Sequence, residues 1–133
     1  VATEDGKLTP ALIDEQAWGF GDQHRAQPAV VTITQSTELG TVYTPEQVRA
    51  VTRHCHAKGM RVHMDGARVF NAAESLGVSV AEVVKPVDTV MFCLSKALGA
   101  PAGSMLAGPK KLIDKGRLHR KRLGGGNRRL HCR

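Results

Sequence analysis

The residue whose position most clearly suggests chemistry is Lys96, which follows an apolar stretch. Residues 89–94 read Thr-Val-Met-Phe-Cys-Leu, and Ser95 separates them from the lysine. An amine that leaves an apolar strand is poorly hydrated, which favours the neutral nucleophile that a Schiff base requires. The alternative is that Lys96 is an ordinary solvated charge at the end of a strand.

Asp65 is the second candidate, because it ends another short apolar stretch and precedes Gly66. Glycine at this position lets a ligand approach the backbone closely. A carboxylate here can keep the nitrogen of a pyridinium ring protonated, as a pyridoxal phosphate site requires. The alternative is that Asp65 caps the N-terminus of the following helix, for which aspartate is well suited.

Both candidates lie where predicted strands end. Short β-branched and apolar runs predict strands at residues 29–34, 61–65, 89–94 and 104–107. Capping residues, helical spacing and terminating Gly or Pro predict helices at 9–18, 44–58, 67–76, 79–85 and 110–123. This alternation predicts an α/β fold with a mainly parallel sheet covered on both faces. Ligands of such sheets bind outside the carboxyl ends of the strands, so the segments after them should open onto one rim.

The composition of the 133 residues is that of one globular domain, with 41% hydrophobic and 23% charged residues. No apolar run approaches the roughly 20 residues of a membrane helix, and the chain opens without the features of a signal peptide. We therefore expect a soluble, intracellular protein without a membrane partner. The three cysteines are too widely spaced for a disulfide framework or a zinc ladder, so free thiols and no metal site are expected.

The net charge of +7 is concentrated towards the end of the chain. Residues 110–133 hold ten Lys or Arg and one acid, whereas residues 1–109 hold nine basic and eleven acidic residues. A basic segment can bind nucleic acid through counterion release, or it can be a solvated helix face. No aromatic residue lies in this segment to stack on bases, and no nucleic-acid motif is present. The sequence therefore does not favour a nucleic-acid partner.

Two blocks together carry a family resemblance. Residues 65–71 read Asp-Gly-Ala-Arg-Val-Phe-Asn, and residues 93–104 read Cys-Leu-Ser-Lys-Ala-Leu-Gly-Ala-Pro-Ala-Gly-Ser. With the Leu-Ala-Gly and Gly-Gly-Gly sequences that follow, residues 30–126 resemble the low-specificity L-threonine aldolases, fold-type I pyridoxal-phosphate enzymes of the β-eliminating lyase group. The resemblance implies a partial three-layer sandwich from the cofactor-binding large domain over residues 1–126, followed by a divergent basic tail over 127–133. It also places the strand ending at Thr34 between the other two parallel strands, with 104–107 antiparallel beside the third.

The resemblance implies a role for five residues. Lys96 corresponds to the catalytic lysine that forms a Schiff base with pyridoxal 5′-phosphate, and Asp65 corresponds to the carboxylate on the ring nitrogen. Arg68 corresponds to the arginine that faces the cofactor O3′ and the substrate carboxylate. Lys121 and Arg128 correspond to basic residues that line the cofactor region of the same or a neighbouring subunit.

The resemblance also has gaps. Glu38 stands where the family usually has a histidine, in the loop after the first strand. The Gly-rich phosphate loop and the ring-stacking histidine of the family lie upstream of anything in this sequence. One hypothesis is therefore a catalytically inactive, truncated remnant or interaction fragment of the same fold, with negligible cleavage of threonine.

The other hypothesis is the activity of the intact family. That activity is the retro-aldol cleavage of L-threonine or L-allo-threonine, a β-hydroxy-α-amino acid, to glycine and acetaldehyde. The resemblance further implies a homo-oligomer of two or four subunits when the protein is full length. A cytoplasmic location is expected, with the mitochondrion as the alternative because the native N-terminus is absent.

Overall fold

The computed structural model describes residues 1–125, which form four strands and five helices. The strands are β1 (Val30–Thr34), β2 (Arg61–Asp65), β3 (Thr89–Cys93) and β4 (Ser104–Ala107). The helices are α1 (Pro10–Gln16), α2 (Pro45–Ala57), α3 (Val69–Leu76), α4 (Val80–Val84) and α5 (Lys110–Arg122). These elements confirm the predicted α/β alternation. The predicted boundary after residue 126 lies outside the described residues.

Capping side chains fix where α1, α2 and α4 begin, as the sequence predicts. Thr44 Oγ1 accepts the N–H of Gln47 at 3.3 Å, and Gln47 Oε1 accepts the N–H of Thr44 at 2.9 Å. Ser79 and Glu82 form the same reciprocal pair at the start of α4, and Thr9 caps α1. These contacts satisfy N–H groups that a helix N-terminus leaves without partners. In the described part of the chain, no helix is long and apolar enough to span a membrane.

The four strands form one sheet in the order β1-β2-β3-β4. β1, β2 and β3 are parallel, and β4 pairs antiparallel with β3, as predicted. The predicted central position of the strand ending at Thr34 is wrong, because β2 lies between β1 and β3. Each helical crossover returns the chain to the neighbouring position, so strands that follow one another in sequence also pair. Val62 and Met64 of β2 are fully buried, as befits a strand paired on both sides.

The two faces of the sheet are covered unequally. One face carries Ile33, Met64 and Val90, and it packs against the buried residues of α2, α3 and α4 in a single core. Helix α5 lies against the other face. A Cβ added at Gly116 of this helix would lie 3.6 Å from the side chain of Leu106 in β4. No side chain of α5 is buried. The chain is therefore a partial three-layer sandwich whose second helical layer is thin.

Candidate active site

The carboxyl ends of the parallel strands lie at one edge of the sheet, and their loops are joined by backbone hydrogen bonds. The N–H of Gln35, after β1, donates to the carbonyl of Asp65 at 2.8 Å, and the N–H of Gly66 donates to the carbonyl of Met91 at 2.7 Å. A Cβ at Gly66 would lie 2.7 Å from the Met91 oxygen, so only glycine fits here. This glycine therefore serves close packing of strand ends as well as the access for a ligand that the sequence suggests.

Asp65 lies on the sheet face opposite the core and is partly exposed. Its Oδ1 accepts the N–H of Ala67 at 3.0 Å, which forms a local turn. The helix that follows begins only at Val69, with Arg68 at the cap position, so Asp65 is not a helix cap. Among residues 1–125 the Oδ2 atom has no hydrogen-bond partner. The carboxylate is thus held at one oxygen and available at the other.

Arg68 forms an ion pair with Glu38 from the loop after β1. The Nη1–Oε1 distance is 3.1 Å and the Nη2–Oε2 distance is 3.5 Å, so the guanidinium and the carboxylate lie side by side. The hydrogen bonds from Arg68 and its charge, and then the charge of Lys96, hold the pKa of the Glu38 carboxyl below its usual range. Glu38, Arg68 and Lys96 therefore share one electrostatic neighbourhood.

The loop that carries Glu38 is anchored by the buried side chain of Gln35. Gln35 Nε2 donates to the carbonyl of Tyr43 at 2.9 Å, and its Oε1 accepts the N–H of Tyr43 at 3.0 Å. The carbonyl of Gln35 also accepts the N–H of Arg68 at 3.3 Å. The loops after β1 and β2 are consequently fixed to each other independently of the Glu38 side chain.

Lys96 lies in the bend that follows β3. The bend is closed by hydrogen bonds from the N–H of Gly99 to the Lys96 carbonyl and from the N–H of Ala100 to the Leu94 carbonyl, both 3.0 Å. Lys96 is exposed, so the expected poorly hydrated amine is absent from the chain as it stands. We call Glu38, Asp65, Arg68 and Lys96 together the rim.

Of the two other predicted basic residues, Lys121 is the one that the structure describes, and it is not part of the rim. Lys121 lies in the last turn of α5 and is exposed, and within residues 1–125 it forms no ion pair with Asp65 or Glu38. Arg128 lies outside the described residues. The structure instead places Arg117 and Arg120 of α5 along a groove of about 370 Å³ over Met91. The helical spacing of Ile113, Gly116 and Arg120 was the signal in the sequence that could have identified this face.

The histidines of α2 have structural partners. His54 Nε2 lies 2.8 Å from Asp14 of α1, and His56 Nε2 lies 2.8 Å from Asp88, which precedes β3. Both histidines belong to the last turn of α2, where a histidine can interact favourably with the helix dipole. Across residues 1–125 no cluster of three or more His, Cys, Asp or Glu is arranged to bind a metal ion.

The functional groups of the rim match two parts of pyridoxal phosphate and one anionic group of a ligand. Lys96 offers an accessible amine for its aldehyde, and Asp65 Oδ2 offers a free acceptor for the ring nitrogen. Arg68 offers a guanidinium, which recognises carboxylate and phosphate oxygens in pairs. The donor set present therefore fits this cofactor.

Comparison with known proteins identifies similar chains along nearly the whole sequence. A family model described as beta-eliminating lyase matches residues 1–131. A probable low-specificity L-threonine aldolase 2 of Arabidopsis thaliana is 41% identical over 130 residues, 96% of this chain and 37% of that protein. A low specificity L-threonine aldolase of Pseudomonas aeruginosa is 51% identical over 91 residues, 68% of this chain and 26% of that protein.

Solved structures of similar fold give the same picture. A threonine aldolase of Leishmania major matches with a TM-score of 0.82 and 27% identity, over 93% of this chain and 37% of that one. A putative aromatic amino acid beta-eliminating lyase/threonine aldolase from Exiguobacterium matches with a TM-score of 0.78 and 26% identity, over 98% of this chain and 35% of that one. The chain thus spans about a third of the length of these relatives, and the matches confirm the fold class predicted from the sequence.

Proposed function

Because the chain belongs to the beta-eliminating lyase family, we propose that it forms part of the cofactor-binding domain of a threonine aldolase that uses pyridoxal 5′-phosphate. The reaction proposed for the whole protein is cleavage of L-threonine or L-allo-threonine to glycine and acetaldehyde. One observation carries the proposal. Asp65 ends β2, and Arg68 and Lys96 follow the carboxyl ends of β2 and the adjacent parallel β3, which is where α/β sheets bind ligands.

Lys96, Asp65 and Arg68 each have a separate proposed role that follows from the chemistry of the side chain. When bound, the cofactor supplies an electron-withdrawing ring that weakens the bonds at the substrate Cα. Lys96 would hold the aldehyde through its amine, and Asp65 would keep a proton on the ring nitrogen through the free Oδ2. Arg68 would bind the substrate carboxylate and so fix which bond at Cα faces the ring.

The orientation of Arg68 depends on the backbone beneath it. Its N–H donates to Gln35 and its carbonyl accepts the N–H of Ala72 in the first turn of α3, at 3.3 and 3.1 Å. These bonds fix the base of the side chain between the loop after β1 and the start of a helix. A guanidinium held at its base in this way can orient an anion with little loss of entropy.

We further propose that the whole protein is a homo-oligomer and that α5 lies near the contact between subunits. Leu112 and Leu118 of α5 and Met105 and Leu106 of β4 are large apolar residues with 43–51% exposure. Surface of this kind is typical of a protein contact. Lys121, at the end of α5, would lie near that contact. The family resemblance assigns both Lys121 and Arg128 to the surroundings of the cofactor.

A second candidate is a non-catalytic chain that binds the cofactor or associates with other chains. The exposure of Lys96 favours it, because an accessible amine reacts with aldehydes but leaves the site open to water. Cleavage needs the substrate positioned to about 1 Å, since a shift of that size can cost on the order of 100-fold in rate. On this candidate, the chain forms the adduct but does not cleave threonine.

The test is covalent labelling followed by an activity assay. The purified chain is incubated with pyridoxal phosphate, reduced with borohydride and mapped by mass spectrometry, with Lys96→Ala and Lys85→Ala as matched variants. Lys85 is also exposed but lies after α4, away from the rim. We expect preferential labelling of Lys96, and loss of the adduct absorbance in K96A alone. Equal labelling of all exposed lysines would contradict the proposal.

The activity assay then separates the two candidates. Threonine is added to the loaded chain, and acetaldehyde and glycine are measured. Turnover that K96A abolishes shows that the chain is a catalyst by itself. Labelling of Lys96 without turnover identifies a cofactor-binding piece that needs further residues.

A further inference from the structure

The Glu38 carboxylate occupies the side of the Arg68 guanidinium that would bind a ligand carboxylate. The Glu38 oxygens lie 3.1 and 3.5 Å from the two terminal nitrogens of Arg68, in the paired arrangement by which arginine recognises carboxylates. A ligand carboxylate that used the same two nitrogens would have to replace Glu38.

The Glu38 carboxylate can be replaced on Arg68 by a carboxylate from solution. The Glu38 side chain is 78% exposed and the Arg68 side chain is 38% exposed, so solvent reaches both partners. Exposed ion pairs of this kind contribute little to stability and compete with ions from solution. The loop also remains anchored without Glu38, because Gln35 holds it to Tyr43.

We propose that Glu38 is a specificity-determining residue, which occupies the carboxylate-binding face of Arg68 and yields it preferentially to ligands that carry an ammonium group beside their carboxylate. The inference rests on the proposed function in one respect, namely that Arg68 binds the substrate carboxylate. It adds the selectivity of that site for α-amino acids over simple carboxylic acids.

The reason is the charge balance of the rim. The two cations, Arg68 and Lys96, are matched by two carboxylates, Asp65 and Glu38. A simple carboxylate that displaces Glu38 leaves the rim with an excess negative charge. An α-amino acid brings its own ammonium group, which compensates the displaced Glu38, so it adds no net charge.

Glu38 is suited to this role rather than to proton transfer. Hydrogen bonds from Arg68 and its charge, with a further contribution from the charge of Lys96, lower the pKa of Glu38. The carboxyl is therefore ionised at neutral pH and is a weak proton acceptor. Its permanent negative charge is what a selectivity device requires.

The test measures ligand binding at Arg68 without cofactor. The Nε–Hε signal of Arg68 in the ¹⁵N-labelled chain is followed during titration with sodium acetate and with glycine, at constant ionic strength. In Glu38→Gln we expect acetate to bind about two- to fivefold more tightly, because an exposed ion pair of ordinary strength no longer competes for Arg68. The affinity for glycine should change less. The preference for glycine over acetate therefore falls.

Two further variants provide the controls. Glu46→Gln removes a similarly exposed carboxylate, which pairs with Arg49 on α2, and it should leave both affinities unchanged. Glu38→Asp keeps the charge and should retain part of the selectivity. The inference is overturned if E38Q matches the unchanged chain with both ligands, if E46Q gives the same shift, or if neither ligand moves the Arg68 signal.

The outcome is distinguishable from that of the labelling test. A chain that forms no specific adduct at Lys96 but shows the acetate shift in E38Q supports the selectivity of Arg68 and contradicts the proposed cofactor site. A chain that is labelled at Lys96 but shows no shift in E38Q overturns the inference alone.

Discussion

The two ends of the parallel sheet hold carboxylates in opposite ways. At the amino end, Asp88 accepts hydrogen bonds from His56 at 2.8 Å, Arg61 at 2.9 Å and the N–H of Val62 at 2.8 Å, and its side chain is only 17% exposed. We call Asp88 and these three donors the amino-end cluster. At the carboxyl end, the Asp65 side chain has a single hydrogen-bond partner among residues 1–125.

The difference distinguishes a structural carboxylate from one available to a ligand. A carboxylate whose oxygens are filled by its own protein joins elements together and has no acceptor left for a substrate. A carboxylate held at one oxygen is oriented but still able to accept a hydrogen bond. The number of partners, rather than the burial of the residue alone, therefore separates Asp88 from Asp65.

The largest effect on stability is expected from Asp88→Ala. The substitution leaves the N–H of Val62 without its partner and separates α2 from the start of β3, so we expect the free energy of unfolding to fall by about 2–3 kcal/mol. Denaturant unfolding measures the change. Asp22→Ala is the control, because Asp22 also pairs with an arginine but lies in an exposed loop, where a loss of about 0.5 kcal/mol is the upper limit. Equal losses in the two variants would contradict the comparison.

The next effect concerns the packing beneath the rim. Gly66→Ala places a methyl group 2.7 Å from the carbonyl oxygen of Met91, so β2 and β3 must separate at their carboxyl ends. Overpacking of this kind costs about 1–3 kcal/mol, and denaturant unfolding again measures the loss. Gly116→Ala is the matched variant, for which we expect no loss in the free energy of unfolding. Its methyl meets Leu106 at an ordinary 3.6 Å, and alanine favours a helix interior by up to about 1 kcal/mol.

The amino-end cluster also makes stability depend on pH. Burial alone would raise the pKa of Asp88, but hydrogen bonds from His56, the Val62 N–H and Arg61 outweigh it and lower the pKa. A lowered folded-state pKa gives stability that is complete above the unfolded value of about 3.9 and is lost as the pH falls through the folded value.

The expected result is a free energy of unfolding that falls on acidification below about pH 5. Asp14 contributes in the same direction, because hydrogen bonds from Lys58 and then His54 lower its pKa. Unfolding is measured from pH 7 downwards in the unchanged chain and in Asp88→Asn. The fall with pH should be shallower in the variant, and identical slopes would show that Asp88 does not carry the effect.

The sequence predicts the helices of this fold better than it predicts the order of the strands. Thr44 with Gln47, and Ser79 with Glu82, are local signals, because each capping pair lies within one helical turn. The position of β1 is not local, since it depends on which neighbour each crossover reaches. The family resemblance suggested the wrong neighbour, and nothing in the strand residues themselves corrected it.

The residues of the candidate site were likewise predictable from local sequence motifs, whereas the contacts between them were not. Asp65, Arg68 and Lys96 come from sequence motifs, and the structure shows where each lies. The ion pair of Arg68 with Glu38 joins residues 30 positions apart, so no spacing rule predicts it. The apolar strand before Lys96 favoured a poorly hydrated amine, but Lys96 is exposed, because it lies in the bend after β3. The alternative of a solvated charge is therefore the one that the described chain shows.

The smallest effect on stability, and the sharpest test of the comparison, is expected from Asp65→Asn. The amide oxygen can still accept the N–H of Ala67, and Oδ2 has no partner in the described part of the chain to lose. The free energy of unfolding should therefore change by less than about 0.5 kcal/mol. The same variant should alter the absorbance and the affinity of the pyridoxal phosphate adduct, because a neutral amide cannot hold a proton on the ring nitrogen as a carboxylate does. A loss of stability as large as that of Asp88→Ala would show that the Asp65 carboxylate is structural. An adduct identical to that of the unchanged chain would show that Asp65 does not face the ring, so both halves of the comparison depend on this one substitution.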